Sequence, residues 1–287
     1  MGWVALLARY PVKGAAAERL DAAVLEPDGV QGDRVWACVD AGDGTIASLK
    51  HPHRWAGLLQ VRAATQPGGM LIVRICDRVV TAGTAQADEV LSSHLQRQVR
   101  LTRVVPEQPR AHRLMPRASG MIPDWMTALT CGQETVTAVS GARPGGRFLD
   151  FGAVHLVSAQ AVEQLARLLD RPTLDPLRFR PNIVLDGPPG LDLTPGTLLR
   201  AGQALLRVQV PTPRCVVPGL DPGPAEPVAI GEDPASPAID QPLLEQLGRS
   251  YRVPLDGLGT AACFGVYAEV VTPGAVEVGA AVSVHGP

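Results

Sequence analysis

One cysteine, Cys215, lies in a segment that prolines enclose, PTPRCVVP at residues 211–218. An apolar run at 205–210 precedes it and predicts a strand. Because proline fixes φ and removes a backbone donor, we expect the thiol on a rigid loop at the end of that strand. Arg214 beside it favours the thiolate, the form that attacks an electrophile or binds a metal. The alternative is that Cys215 is a small apolar residue of a loop.

A second candidate group is the sequence LRFRPNIVL at residues 177–185. Arg178 and Arg180 are two positions apart, so their side chains point the same way if the chain is extended. Pro181 favours extended backbone at the residue before it, and Asn182 adds a donor and an acceptor. Such a cluster could bind a phosphate bidentately. The alternative is a solvated strand edge that the arginines keep soluble.

Lysine is rare in this chain, since only Lys13 and Lys50 are lysines among 26 basic residues. Each lies where a predicted strand passes into a loop. In a composition rich in arginine, a lysine remains by chance or because a compact ammonium group is needed. A lysine is ordinarily a surface residue, and the rarity of these two favours a functional role.

The composition is typical of a folded globular protein. The chain has 287 residues, a formal net charge of −2, 46% hydrophobic residues and 19% charged residues. These values exclude extensive disorder. The nearly balanced charge gives no basic surface for a nucleic-acid backbone, so we expect no nucleic-acid partner.

The sequence also predicts the compartment. It has no apolar run long enough to span a membrane, and residues 1–9 lack the basic start and long apolar region of a secretory signal. The five cysteines are widely scattered, without the spacing of a zinc site or a disulfide framework. We therefore expect a cytoplasmic protein with no membrane partner.

Short apolar runs separated by Gly, Pro and Asp dominate the chain and predict strands. These runs lie at 3–8, 35–40, 71–75, 104–105, 153–157, 183–185, 205–210 and 282–284. Helical spacing predicts helices at 87–95 and 158–169, with Ser158 as N-cap, and a weaker one at 243–247. The expected fold class is mostly β (α+β), with barrel-like sheets and a few helices.

Shifts in composition divide the chain into three parts. We predict an N-terminal β-barrel module at 1–85, a connecting helix and linker at 86–109, and a larger domain at 110–287. The proline-rich segment 218–242 predicts a long surface loop. Its position directly after Cys215 makes it a candidate for selecting a substrate or partner, and the alternative is an inert insertion.

Several motifs, taken in chain order, resemble the MOSC family, named for the C-terminal domain of molybdenum-cofactor sulfurase, preceded by its N-terminal β-barrel module. Those resembling the N-terminal module are YPVK (10–13), GVQGDRVW (29–36) and SLK (48–50). Those resembling the MOSC domain are FLD (148–150), HLVS (155–158), RFRPN (178–182), RC (214–215) and GVYA (265–268).

The resemblance implies a barrel-rich fold that binds a molybdenum cofactor, a pterin dithiolene with a terminal phosphate. Members of this two-module type, similar to the mitochondrial amidoxime-reducing component, reduce N-hydroxylated small molecules. Cys215 would be the catalytic thiolate on molybdenum. The residues expected to hold the cofactor are Lys13, Lys50, Arg180 and Asn182, with Ser158 and Thr212 as nearby hydrogen-bonding groups. The alternative is a sulfur-carrier or cofactor-handling protein with a persulfide on Cys215.

Three departures from the family pattern affect this hypothesis. Gly14 stands where relatives often carry a hydroxyl group. Lys50 stands where the mitochondrial relatives have arginine, which keeps the charge but loses the bidentate fork. No segment resembles the ferredoxin-like domain of some bacterial relatives, so we expect a separate flavin or iron–sulfur protein to donate the electrons.

Overall fold

A computed structural model describes residues 2–187, 193–222 and 238–285. The first strands are β1 (Gly2–Arg9), β2 (Glu18–Leu20), β3 (Ala22–Glu26), β4 (Gly29–Val30), β5 (Ala37–Asp40), β6 (Val61–Thr65), β7 (Leu71–Ile75), β8 (Arg78–Thr81) and β9 (Val99–Thr102). They are followed by β10 (Arg110–Leu114), β11 (Glu134–Ala138), β12 (Val154–Ser158), β13 (Ile183–Asp186), β14 (Leu198–Ala201), β15 (Ala204–Pro213), β16 (Arg252–Leu255), β17 (Gly259–Thr272), β18 (Gly274–Glu277) and β19 (Ala281–His285).

The helices are short. The α-helices are α1 (Pro52–Trp55), α2 (Ala85–Leu95), α3 (Ala159–Leu168) and α4 (Gln241–Ser250), and 3-10 turns lie at Ala56–Gln60, Asp124–Met126, Pro176–Phe179 and Val217–Gly219. Within the described ranges, no helix has the length and apolar character that crossing a lipid bilayer requires.

A closed barrel forms the centre of the described structure. Its seven strands follow the order β12, β13, β1, β19, β14, β15 and β17, and β17 pairs back to β12. The β12–β13 pair is parallel, whereas β1 runs antiparallel to both β13 and β19. The fold class is therefore mostly β with a closed barrel and a few helices, which confirms the sequence-based prediction.

The burial pattern of β1 explains why this strand joins the barrel. Val4 and Leu7 are 0% and 1% exposed and belong to the apolar cluster that fills the barrel. Trp3 lies on the opposite face and is 44% exposed. Residues of the predicted N-terminal part thus complete a barrel whose other strands follow residue 153. The domain boundaries near residues 85 and 110 stay a prediction. Strand β1 belongs to the predicted N-terminal module but pairs with strands of the larger domain.

A second apolar cluster lies under the small sheets of the N-terminal part. Trp55 is fully buried in it and Leu91 packs there from α2. The Thr84 hydroxyl accepts a hydrogen bond from the Ala87 amide at 3.2 Å and so begins α2. The predicted strand at 104–105 is wrong, because the pairing strand is β9 and Val104 is 74% exposed.

Only part of the predicted loop 218–242 can be compared with the structure, because residues 223–237 lie outside the described residues. Its first residues form the end of a 3-10 turn, and its last two already belong to α4. The Asp240 carboxylate caps that helix by accepting from the Leu243 amide at 3.2 Å.

Truncating Leu7 tests whether β1 is integral to the barrel. We expect Leu7→Ala to lower the free energy of unfolding by about 2–5 kcal/mol, because it leaves a cavity in the barrel core. Urea unfolding followed by circular dichroism measures the loss. The matched control is Leu258→Ala, since Leu258 is 47% exposed and the same truncation there should change stability by about 0.5 kcal/mol or less. Equal losses at the two positions would contradict the assignment.

Candidate functional site

Two loops, one after β1 and one before α1, bring Lys13 and Lys50 onto one carboxylate, that of Asp150. The lysine Nζ atoms lie 2.9 Å and 2.7 Å from the same oxygen, Asp150 Oδ1. Lys13 is 3% exposed and also donates to the carbonyl oxygen of Phe148 at 2.9 Å. The two lysines of the chain, which are distant in sequence, therefore share one site.

The charges in this trio are unequally stabilised. Burial lowers the pKa of Lys13 to about 8, although Asp150 opposes the shift. Burial also opposes ionisation of Asp150, but the two lysines hold the pKa of its carboxyl well below its usual range. One carboxylate therefore serves two ammonium groups, which leaves a surplus of positive charge.

Two arginines lie against the ring of Tyr10, just beyond the end of β1. The guanidinium carbons of Arg180 and Arg34 are 4.0 Å and 4.8 Å from the ring centroid. Asp33 is fully buried, accepts from the Tyr10 amide at 2.7 Å and pairs with Arg34. Arg180 has no carboxylate partner in the part of the chain that the structure describes. A cation without a counter-ion thus lies at this end of the barrel.

Several buried polar side-chain atoms lack a partner, and one atom of Arg180 and one of Thr212 are among them. Nη2 of Arg180 and Oγ1 of Thr212 are enclosed, and neither hydrogen-bonds to any described residue. Burial lowers the pKa of Arg180 to about 10, so the group is still a cation at neutral pH. A native fold rarely leaves such atoms unsatisfied, and a ligand is one way to satisfy them.

A hydrogen-bonded chain leads from Arg180 to the cysteine loop. His155 Nε2 lies 2.5 Å from an Arg214 nitrogen, and His155 Nδ1 lies 3.3 Å from the Arg180 carbonyl oxygen. Because arginine can only donate, Nε2 must accept, so the proton is on Nδ1 and is donated to Arg180. Burial and the Arg214 charge hold the pKa of His155 well below its ordinary value. The imidazole is therefore neutral.

The guanidinium group of Arg214 hydrogen-bonds to groups inside the protein. Its guanidinium donates to the carbonyl oxygens of Phe264 and Phe179 as well as to His155. Cys215 follows β15 on a loop that leads directly into the 3-10 turn 217–219, and it is a free, half-buried thiol. The predicted loop at the end of the strand is present. Arg214 is its first residue, and the hydrogen bond from Arg214 to Phe264 holds the loop against β17.

Two of the predicted site residues have clear roles in building the fold. Asn182 is 1% exposed, accepts from the His155 amide at 3.1 Å and donates to the Ala8 carbonyl at 3.3 Å. It thereby joins β12 to β1. The Ser158 hydroxyl accepts from the Ala161 amide at 3.4 Å and caps α3 as predicted. Contact of either side chain with a cofactor stays a prediction.

Sequence reasoning missed three residues that complete this site, namely Arg34, Asp150 and His155. His155 lies in the motif HLVS and is buried, and its ring connects two site arginines. Arg34 and Asp150 lie inside the motifs GVQGDRVW and FLD. Asp150 is 100 residues from Lys50 in the chain, so no local pattern of the sequence indicated that the two side chains meet.

The structure also explains Gly14. Its φ is +81°, and a Cβ there would lie 2.7 Å from Cδ1 of Leu58, which is fully buried. Both the backbone and the packing therefore favour glycine at this position. A hydroxyl-bearing side chain here would strain the backbone and would require Leu58 to shift.

Comparison with known families decides the assignment. The profile of the MOSC N-terminal β-barrel domain matches residues 1–105, and that of the MOSC domain matches residues 146–283. The chain belongs to the MOSC family. The family is associated with proteins similar to molybdenum cofactor sulfurase.

The solved structures to which this chain is similar include the YuaD protein of Bacillus subtilis. It is 14% identical, with all of this chain and 97% of that chain covered, at a TM-score of 0.45. YiiM of Geobacillus stearothermophilus is 16% identical over 61% of this chain and 75% of that one, at a TM-score of 0.31. No curated protein sequence matches this chain significantly.

The residues of this MOSC protein fit an anionic cofactor that carries phosphate and sulfur. Positive charge exceeds negative charge at the site, and the unpartnered Arg180 and Thr212 atoms are of the kind that a phosphate or pterin would satisfy. A cysteine thiolate, which Cys215 could supply, is the soft type of ligand that a sulfur-rich metal centre prefers. Within the described part of the chain, no group of three or more His, Cys, Asp or Glu residues is arranged to hold a metal ion.

The ionisation of Lys13 can be measured directly, since the chain has only two lysines. In protein labelled with 13C at lysine Cε, Lys50→Arg leaves the signal of Lys13, and we expect it to titrate near pH 8. Asp150→Asn should move the midpoint lower, because it removes the opposing charge. Between about pH 8 and 10.5 the unfolded chain keeps a proton that the folded chain has lost, so stability should rise with pH over this window. A midpoint near 10.5 would refute the burial of this ammonium group.

The free energy of unfolding can separate the structural role of Asn182 from the proposed cofactor-binding role of Arg180. We expect Asn182→Ala to lower the free energy of unfolding by about 1–3 kcal/mol, because it leaves buried backbone groups of two strands unpaired. Arg180 adopts φ +55°, a region that asparagine tolerates, so Arg180→Asn should cost clearly less. Urea titration of both variants measures the difference. An equal or larger loss for Arg180→Asn would show that the arginine serves the fold.

Proposed function

We propose that this MOSC protein binds the molybdenum cofactor and reduces N-hydroxylated small molecules with electrons from a separate flavin or iron–sulfur protein. One observation carries the proposal. A surplus of buried positive charge, with unpartnered hydrogen-bonding atoms on Arg180 and Thr212, lies next to the rigid loop that presents Cys215. Buried polar and charged groups without a partner are costly, and a ligand that pairs with them would offset that cost.

In this proposal Lys13, Lys50 and Arg180 bind the phosphate and the polar edge of the pterin. Asp150 keeps the buried Lys13 ammonium charged at neutral pH, since burial alone favours the neutral amine. The Thr212 hydroxyl donates to an acceptor of the cofactor. Together these groups replace the water that a phosphate and a pterin lose when they enter the protein.

Cys215 contributes the protein thiolate to the metal. The cofactor, when bound, supplies a metal that takes up and gives out electrons. The overall reaction breaks the N–O bond of the substrate and consumes two electrons and two protons, and the oxygen leaves as water. His155 and Arg214 orient the loop of Cys215 through the hydrogen bonds to Phe264, Phe179 and Arg180, which limits movement of the sulfur.

The alternative is a sulfur carrier in which Cys215 bears a persulfide. Both functions need an accessible thiol, so Cys215 alone does not separate them. The cationic cluster of Lys13, Lys50 and Arg180 favours retention of an anionic cofactor, because a persulfide carrier has no need of three cations around a phosphate-sized group.

Elemental analysis tests the proposal. In protein purified from a host that makes the cofactor, we expect about one molybdenum per wild-type chain. Cys215→Ser should lower this content, by about tenfold if the thiolate dominates metal retention, and should abolish reduction of a hydroxylamine by an artificial electron donor. The matched control is Cys131→Ser, which changes an exposed free cysteine and should leave both quantities unchanged.

The outcomes separate the two functions. Well-folded wild-type protein without molybdenum would refute cofactor binding, and sulfane sulfur on Cys215 in that protein would favour the carrier. Molybdenum-loaded protein that cannot turn over any N-hydroxylated compound would leave cofactor binding in place and refute the reductase activity. Unchanged metal content and turnover in Cys215→Ser would remove Cys215 from the site.

A further inference from the structure

Strand β11 lies at the outer edge of a two-stranded sheet. It pairs antiparallel with β10 and has no other partner among the described strands. The opposite edge of β10 is occupied, since the Ile46 amide donates to the carbonyl oxygen of Arg110 at 2.8 Å. At the other end of β10, the Leu114 amide donates to the carbonyl oxygen of Lys50, also at 2.8 Å. The open edge of this sheet is therefore β11.

The register shows which backbone groups of β11 face this open edge. The Met115 amide donates to the Gln133 carbonyl oxygen at 2.9 Å, directly before β11 begins. Because hydrogen-bonded pairs alternate along an antiparallel ladder, the amide and carbonyl groups of every second residue from there point away from β10. These residues are Glu134, Val136 and Ala138. None of their backbone groups forms a hydrogen bond with a described residue.

Strand β11 lacks the features that protect an edge strand. Such strands commonly carry a proline, a lysine or a bulge, each of which prevents pairing with another chain. The sequence of β11 is ETVTA, its register with β10 is regular, and its one charged residue lies at its end. The β-branched residues in the middle favour extended backbone, and Val136 is 43% exposed. An edge of this kind is a template for a further strand.

The open edge is complementary to itself. When two copies of β11 lie antiparallel about a two-fold axis at Val136, Glu134 of each copy is opposite Ala138 of the other. The outward amide and carbonyl groups then meet in hydrogen-bonded pairs, because the residues that face the edge in one copy lie opposite those that face it in the other. The two Val136 side chains form the central cross-strand pair, a favourable contact between β-branched residues.

Charge also favours this arrangement. Arg110 is opposite Ala138 within the hairpin, so Arg110 and Glu134 of the second copy lie on either side of the same small residue and on the same face. Their backbones are about 10 Å apart, two strand spacings, which the two long side chains span. Arg110 is exposed and forms no ion pair with any residue that the structure describes. The pairing supplies its missing carboxylate.

We propose that two copies of this protein associate through β11 and so join their hairpins into one continuous antiparallel sheet. A second copy is favoured over a strand of another protein because this edge satisfies its own hydrogen-bonding and charge requirements. The strand has only five residues, so it buries less than the area of about 800 Å² per partner that stable interfaces use. The dimer is therefore reversible. It is independent of the cofactor, since β11 carries no residue of the site described above.

Sedimentation velocity of the full chain measures this association. We expect the wild-type protein to change from monomer to dimer between about 5 and 500 µM, as a small interface predicts. Val136→Lys should raise the dissociation constant at least about tenfold, because it removes the central apolar pair and places two ammonium groups opposite each other. The matched control is Val24→Lys. Val24 is 44% exposed, but its strand has partners on both sides, so the dissociation constant should not change.

A charge exchange tests the register. Arg110→Glu alone and Glu134→Arg alone should each weaken self-association by about 3- to 10-fold, because like charges then flank Ala138. An equimolar mixture of the two variants should form a mixed dimer at least as stable as the wild-type dimer, since both charge pairs are restored in it. Glu134 also accepts from His112 at 3.0 Å, so circular dichroism checks that each variant folds. Val136→Lys and Arg110→Glu leave that contact intact and decide the matter without Glu134→Arg.

Three results would overturn the proposal. Wild-type protein that stays monomeric over this range would exclude self-pairing and leave the edge to a strand of another protein. A dimer that persists unchanged in Val136→Lys and Arg110→Glu would place the interface elsewhere on the molecule. Folded charge variants that do not associate when mixed would exclude the two-fold register about Val136.

Discussion

The site depends on the position of β1 between β13 and β19. This pairing closes the barrel with a strand from the start of the chain. Because β1 and β13 are antiparallel, the residues that follow β1 meet the arginine loop that precedes β13. Arg214 joins that loop to the cysteine loop. Tyr10 and Lys13 come within a few residues of the end of β1, so their placement follows from closure of the sheet. A site assembled from both ends of a chain can form only after that closure.

The barrel holds several residues whose backbone conformation or burial is energetically unfavourable by itself. Arg34 and Arg180 both lie in the left-handed region, with φ of +52° and +55°, which costs about 1–2 kcal/mol at each residue. Burial of Arg180 and Lys13 adds a desolvation cost, seen in the lowered pKa of both groups. The large apolar core of the barrel can bear these costs. Strain and buried charge coincide at one barrel end, where the unpartnered atoms also lie.

Sequence patterns predicted the strands and helices well where the apolar period was clear. The run at 71–75 and the helix at 87–95 correspond to β7 and α2, because local burial and capping decide these elements. The pairing of β1 with distant strands could not be read from the sequence, since registers between strands far apart leave no local pattern. The same holds for Asp150, whose role depends on two lysines that approach it only in the folded chain.

The two lysines have a practical consequence for handling the protein. Reagents that couple to primary amines, such as activated esters used for immobilisation or fluorescent labelling, find no lysine outside the pair on Asp150. Lys50 is the more accessible of the two, with 15% of its side chain exposed against 3% for Lys13. Side-chain labelling would therefore modify the proposed cofactor site itself, and a bound anion would shield it. Thiol coupling at the exposed Cys131 spares the lysines, although Cys215 must then be replaced or occupied because its thiol is also partly exposed.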